Sequence, residues 1–494
     1  MKYVSTRDAS AAPRAVSSAE AILRGLAPDG GLYMPTEIPR LTDAELTALL
    51  PLSYAERAAE ILSRFLPDYD RAALSDDCAV SYADDRFPGG AAPLLEFERG
   101  VHALELWHGP TCAFKDMALQ IMPRLLSRAL SMSGERRQAH ILVATSGDTG
   151  KAALEGYRDV PGVRITVFYP LDGVSPMQKR QMTTQPGGNV NVCAVRGNFD
   201  DAQNGVKAIF ADGALARRAD EAGFFFSSAN SINWGRLAPQ IVYYVSAYCD
   251  LVRGGTLKMG EKMNVAVPTG NFGNIFAACV ARAMGVPIGR LLCASNANCV
   301  LTDFIRTCVY DRRRVFYKTM SPSMDILISS NLERLLWLLG GPSQTALCMQ
   351  ALARDGVYTA PETTMTSLRR LFSGYTASEA ETAETIRSTW ERAQYLIDPH
   401  TAVGLCAVRQ YRAETGDERP VVLASTASPY KFTADVLASL GRPAVTDDPA
   451  ALLDALHKVS GTPIPAPLER TLTLPIRFTR AVEKEEMAGV LFGN

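Results

Sequence analysis

The chain lacks most of the features that would commit it to a special class. Its 51 Lys plus Arg stand against 52 Asp plus Glu, a net charge of −1 over 494 residues. No global field therefore draws in nucleic acid or an anionic membrane. No stretch reaches the roughly 18 uninterrupted apolar residues of a membrane span, and no apolar segment follows Lys2, Arg7 and Asp8 as a leader would. The ten cysteines include no C-x-x-C pair, and the five histidines (His102, His108, His140, His400 and His457) show no H-E-x-x-H spacing. These absences argue against a disulfide framework and against a catalytic metal, and suit reduced thiols. Fixed-period repeats and low-complexity tracts are also missing. The expectation is a cytoplasmic protein with no metal, no nucleic-acid partner and no membrane segment.

What is present is ordinary globular material, 47% hydrophobic and 21% charged, with length for about two to four domains. Residues 1–92 show helical periodicity, as in Ala19–Leu26 and from Asp43 to Leu66, with breaks at Gly30-Gly31, Pro51 and Pro67. After the breaker cluster Arg86–Pro93, short apolar runs alternate with helical patterns. His140–Ala144, Val163–Tyr169, Val190–Val195, Asn264–Val267 and Pro420–Ser425 read as strands, and such alternation predicts parallel sheets covered by helices. Arg253–Gly260 is read as the divider between two such sheets. The expected architecture is α/β: a helical domain over 1–92, a small α/β domain over 93–255 and a large one over 256–494.

Three stretches carry chemistry. In His108-Gly-Pro-Thr-Cys-Ala-Phe-Lys-Asp116, a lysine opens a helical pattern from Met117 to Met132. The helix dipole and partial desolvation would depress its pKa and make a nucleophilic amine. In isolation the same residues read as an exposed Lys115–Asp116 pair. Ala144-Thr-Ser-Gly-Asp-Thr-Gly150 lies between a strand and a helix, where α/β proteins bind small anions. It is not a nucleotide P-loop: the G-x-x-x-x-G-K spacing is absent and Ala152 replaces the Ser or Thr. Taken alone it is a tight turn with Thr145 or Ser146 as cap. Pro268-Thr-Gly-Asn-Phe-Gly-Asn274 also joins strand to helix, and its two glycines suit a phosphate cup. No G-x-G precedes that helix, so a dinucleotide fingerprint is excluded.

Together with Tyr3–Arg7, Gly30–Tyr33, Asn230–Leu237, Ser323–Ile326, Ser330–Arg334 and Asp398–Val403, these stretches resemble fold-type II pyridoxal-phosphate enzymes of the tryptophan-synthase-beta type. They are most similar to the long, fungal and bacterial branch of the threonine synthase family. The resemblance implies conversion of O-phospho-L-homoserine and water to L-threonine and phosphate by a monomer or homodimer, with pyridoxal 5'-phosphate as cofactor held in a Schiff base on Lys115. It implies that Gly270, Asn271, Phe272, Gly273 and Asn274 cradle the cofactor phosphate, that Asp148 lies beside its 3-hydroxyl and that Thr426 faces its ring nitrogen. Thr145, Ser146 and Thr149 would receive the substrate carboxylate, and Asn230 and Arg236 the substrate phosphate. As a lone feature Arg236 reads as a solvated helix residue, and Lys431 reads equally as a substrate contact or a surface lysine. His108 could touch substrate or cap its turn, and Ser428 replaces the His of many relatives. The rival readings are a threonine or serine dehydratase, a β-replacement enzyme, and a non-catalytic binder of phospho-ligands.

Overall fold

In the computed structural model, which describes residues 1–145, 147–171 and 174–493, the chain opens with a helical layer. Its helices span Ser18–Arg24, Asp43–Leu49, Tyr54–Phe65 and Arg71–Ser81. Thr42 with Glu45, and Ser53 with Glu56, form capping boxes that satisfy amides the helices leave free. Strands β1 (Tyr3–Ser5) and β2 (Tyr33–Pro35) pair antiparallel beside them. The layer is fastened to the long helix Trp234–Arg253, where Tyr3 meets Trp234 edge-on at 5.6 Å and the buried Arg57 reaches Asp250 at 2.8 Å.

The remaining strands are β3 (Leu94–Glu98), β4 (Val101–Glu105), β5 (Gln138–Ala144), β6 (Val163–Pro170), β7 (Val190–Val195), β8 (Phe224–Ser227), β9 (Met263–Pro268), β10 (Ile288–Ser295), β11 (Val309–Asp311), β12 (Val357–Thr359), β13 (Phe372–Thr376), β14 (Val421–Ser425) and β15 (Ala481–Val482). One sheet has the order β15-β7-β6-β5-β8 and is parallel throughout. The other, β13-β10-β9-β14-β4-β3, is parallel except for its β3–β4 edge pair. β9 and β14 are buried at every position, as expected where helices cover both faces. Among the described residues no helix is long and apolar enough to cross a membrane.

Two sequence expectations differ in detail. Sheet membership does not follow the 93–255 and 256–494 boundaries: β3 and β4 join the six-stranded sheet through β14, while β15 joins the five-stranded sheet through β7. Periodicity reports whether a strand is buried; only long-range pairing decides against what. The helix expected over Met117–Met132 is two helices, Asp116–Leu119 and Met122–Ser133. Pro123, in the first turn of the second, has no N–H to continue an earlier helix.

Each sheet also defines where a ligand belongs. Strand order reverses direction between β5 and β8 in one sheet and between β9 and β14 in the other. At such switch points the loops leaving the strands' carboxyl ends diverge and leave a crevice. The loops concerned are 144–150 after β5, 268–274 after β9 and the residues after β14, which include the Thr145, Gly270 and Thr426 neighbourhoods.

Candidate active site

Lys115 stands at the end of the loop that leaves β4, and that loop is moored to the end of β14. Leu106 donates to the Ser425 carbonyl at 3.0 Å, Phe114 to the Thr426 carbonyl at 2.8 Å, and Ala113 bridges to Ala427. Thr426 therefore contributes its backbone to holding the lysine loop. The adjacent Asp116 is no exposed partner of Lys115: it is fully buried and accepts from the Thr111 amide at 2.8 Å and hydroxyl at 2.7 Å. Burial pushes its carboxyl up to about 6 against the pull of those two donors.

Lys115 Nζ is buried, 4.9 Å from the Phe114 ring centroid, 3.4 Å from Asp148 Oδ2 and 3.3 Å from Ser323 Oγ. Burial lowers its pKa below the ordinary lysine value; Asp148 works against this, while Lys431 and Arg236 reinforce it. The outcome is an amine that gives up its proton more readily than a surface lysine.

Asp148 opens the helix Asp148–Tyr157 after Gly147, whose φ of 144° is open to glycine; a Cβ there would also strike the Gln178 amide at 2.4 Å. Its Oδ1 receives Gln178 Nε2 at 2.9 Å and Lys431 Nζ at 2.6 Å. Burial alone would raise this carboxyl, but Lys431 and Lys115 outweigh it and hold Asp148 well below the usual carboxylate range. Lys431 is thus no surface lysine: it is buried, and also donates to the Thr111 carbonyl at 2.9 Å. Gln178, on the helix Pro176–Thr183, had no signal in the sequence beyond its capping box with Ser175.

Of the other expected residues, Ser146 lies outside the described residues. Thr145 is buried, and its hydroxyl accepts from the amides of Gly147 and Gly150 at 3.0 Å each and donates to the Gly147 carbonyl. It shapes the loop without being the helix cap, which is Gly147 and carries no side-chain cap hydrogen bond. Thr149 is half-buried at the first turn of the helix. Asn230 is exposed on the loop before the helix Trp234–Arg253. Arg236, inside that helix, is buried rather than solvated. It donates to the Ala229 carbonyl at 3.0 Å, and among the described residues its Nε has no partner and no ion pair engages it. Burial lowers its pKa to about 10. A desolvated guanidinium without a carboxylate is costly, and an anion relieves the cost. His108 turns elsewhere, its ring nitrogens facing Glu105 at 2.8 Å and the Pro88 carbonyl at 3.1 Å. Ser428 caps the short turn that carries Lys431.

The loop after β9 runs into the helix Gly273–Ala283, which has no side-chain cap. A Cβ on Gly270 would meet the Ser323 carbonyl at 2.5 Å, so this loop passes where only glycine fits. Asn271 is exposed, and its carbonyl receives both the amide and the side chain of Asn331. Phe272 is left-handed, and its ring lies in the core 5.7 Å from Phe372, which leaves its backbone facing the loop. The Asn274 Oδ1 accepts from the Tyr243 and Tyr244 hydroxyls, while among the described residues its buried Nδ2 has no partner.

A buried lysine amine and an uncapped, glycine-lined helix start stand on two largely parallel sheets, and the family described as "Pyridoxal-phosphate dependent enzyme" matches residues 88–427. Its flanks match "Threonine synthase N terminus" over 2–82 and "Threonine synthase, C-terminal" over 401–487. The threonine synthase of Pseudomonas aeruginosa is 39% identical over 469 residues, covering 93% of this chain and 94% of its own. That of Saccharomyces cerevisiae is 37% identical, covering 87% of each. The solved structure of PLP-bound threonine synthase from Brucella melitensis has a TM-score of 0.88 at 36% identity, covering 99% of this chain and 98% of that one.

The chain belongs to the threonine synthases, fold-type II pyridoxal-phosphate lyases of threonine biosynthesis. Dehydratase, β-replacement and non-catalytic readings are not favoured by these likenesses. The residues present fit the cofactor: the unpartnered Asn274 Nδ2 and the uncapped amides of the same helix start are donors awaiting an anion, and Lys115 offers an amine to an aldehyde.

Proposed function

We propose that this enzyme converts O-phospho-L-homoserine and water to L-threonine and phosphate, in the cytoplasm, as a monomer or homodimer. When bound, pyridoxal phosphate supplies an electron sink that acidifies the carbons of an attached amino acid. In this reading Gly270, Asn271, Phe272, Gly273 and Asn274 hold the cofactor phosphate, largely through backbone amides. Asp148 sits beside its 3-hydroxyl and Thr426 faces its ring nitrogen. The loop bearing Thr145, Ser146 and Thr149 receives the substrate carboxylate, and Asn230 and Arg236 receive the substrate phosphate. Lys115 takes the proton from the substrate Cα and then one from Cβ; its depressed pKa suits that traffic.

The observation that carries the substrate is Arg236. A cofactor phosphate already has the glycine-lined cup, yet a second, buried cation without a carboxylate acts on the same amine. An enzyme for threonine or serine needs no such group.

Purified enzyme offered phosphohomoserine, threonine and serine separately is expected to release phosphate and threonine from the first and no keto acid from the others. Keto-acid release from threonine with phosphohomoserine untouched would overturn the assignment. Arg236→Met is expected to lower kcat/KM for phosphohomoserine by about 10- to 160-fold, since a charge-assisted hydrogen bond contributes roughly 1.5–3 kcal/mol. Its melting temperature should not fall, because an apolar side chain replaces a buried, unpaired cation. A loss confined to stability, with kcat/KM intact, removes Arg236 from the phosphate site.

A further inference from the structure

Ser323 touches Lys115 but has no part in the reaction above. It lies in the short 3-10 turn Pro322–Met324 and is fixed on three sides. Its hydroxyl is 3.3 Å from Lys115 Nζ, its carbonyl presses on Gly270, and its amide donates to His400 Nε2 at 3.1 Å. His400 is 2% exposed and lies at the start of the helix Pro399–Thr415. An amide N–H can only donate, so Nε2 presents a lone pair and the ring proton resides on Nδ1, 2.6 Å from Asp398. Asp398 is immobilised in turn as the cap of that helix, accepting from the Thr401 and His400 amides at 3.1 and 3.0 Å. The Phe432 ring closes the other side of the imidazole, edge-on at 4.9 Å.

A neutral lysine amine has two protons and one lone pair. Among the described residues Asp148 and Ser323 are the two acceptors hydrogen-bonded to Nζ, and when both protons are taken the lone pair has one direction left. We propose that Ser323 is a catalytic residue that orients the Lys115 amine by accepting its hydrogen bond, and that His400, aligned by Asp398, is the positioning residue that holds Ser323 in register. The proposal rests on Lys115 being the proton carrier of the reading above.

The test compares Ser323→Ala, His400→Leu and His400→Gln in the cofactor-loaded enzyme. The Gln side-chain oxygen can take over from Nε2 as acceptor for the Ser323 amide. Ser323→Ala and His400→Leu are expected to lower kcat about 10- to 100-fold, reaching at most the lower end of the roughly 10²- to 10⁴-fold contributed by positioned proton transfer because the amine itself remains, with KM changed less than about threefold; His400→Gln is expected to recover most of the loss. A second readout is independent of substrate: the rate at which cofactor-free protein regains visible absorbance on mixing with pyridoxal phosphate. It should fall about fivefold or more in the first two variants and be restored in the third, because an ill-directed amine attacks the aldehyde more slowly.

Rates of turnover and uptake close to the parent's in Ser323→Ala overturn the proposal. So does slowing in His400→Leu that His400→Gln fails to relieve, since that marks a packing role. Should the uptake pattern hold while the parent leaves phosphohomoserine untouched, the substrate assignment fails and the amine's orientation stands.

Discussion

Lys115→Ala is expected to abolish turnover, with a loss of about 10⁴-fold or more, and to remove the visible absorbance of lysine-linked cofactor. The size follows from the absence of a substitute. The amine must be at once nucleophilic toward an aldehyde and able to carry protons, roles that depend on its burial. Lys431, the other amine in contact with Asp148, is committed to it at 2.6 Å and to the Thr111 carbonyl. The variant should still fold, because Asp148 keeps Lys431 and Gln178 as partners. Its circular dichroism and melting temperature are expected to stay near the parent's. Retained absorbance and turnover in the Ala variant would place the covalent link on another residue.

How much of this was legible in the sequence depends on whether local pattern or long-range pairing decides the feature. β5, β6, β7, β9 and β14 are apolar runs bounded by polar or breaker residues, and their burial on both faces leaves a mark in composition alone. β10 and β13 escape that pattern. Gly289 and Arg290 interrupt the first, and the second is Phe372-Ser-Gly-Tyr-Thr376, whose Gly374 packs where a Cβ would meet the Thr302 backbone at 2.9 Å. β8, only Phe224–Ser227, is too short for alternation to register.

The same division holds for the site. Glycine loops between strand and helix are local, so the 144–150 and 268–274 loops stand out, and the fold brings Asp148 of the first within 3.4 Å of Lys115. Lys431, His400 and Ser323 acquire their roles from partners far off in the chain. Their local sequence is that of a short turn, a capped helix start and a Ser-Met-Asp stretch, none of which announces a charge held in the interior.

Lys431→Met shows what that interior charge is worth. The side chain is buried, and its partner Asp148 is buried too. Removing one member of such a pair strands the other, at a cost of about 3–5 kcal/mol. Lys115 softens the loss only partly, being farther away at 3.4 Å. The pH dependence has a definite sign. In the parent Asp148 is held below its unfolded pKa, so its ionised form adds stability above about pH 4 and that contribution is lost as pH falls through the folded value. In the variant burial is opposed less and the carboxyl titrates higher. The stability gap between parent and Lys431→Met, read as a shift of the urea midpoint, should therefore be widest near pH 7 and narrower near pH 4.5, where the stranded carboxylate takes up a proton. Adding Asp148→Asn to Lys431→Met is expected to return more than half of the lost stability, because the amide needs no counter-charge, while turnover stays depressed at least tenfold. A gap that does not change with pH, or a double variant no more stable than the single one, would mean that Lys431 contributes packing rather than charge.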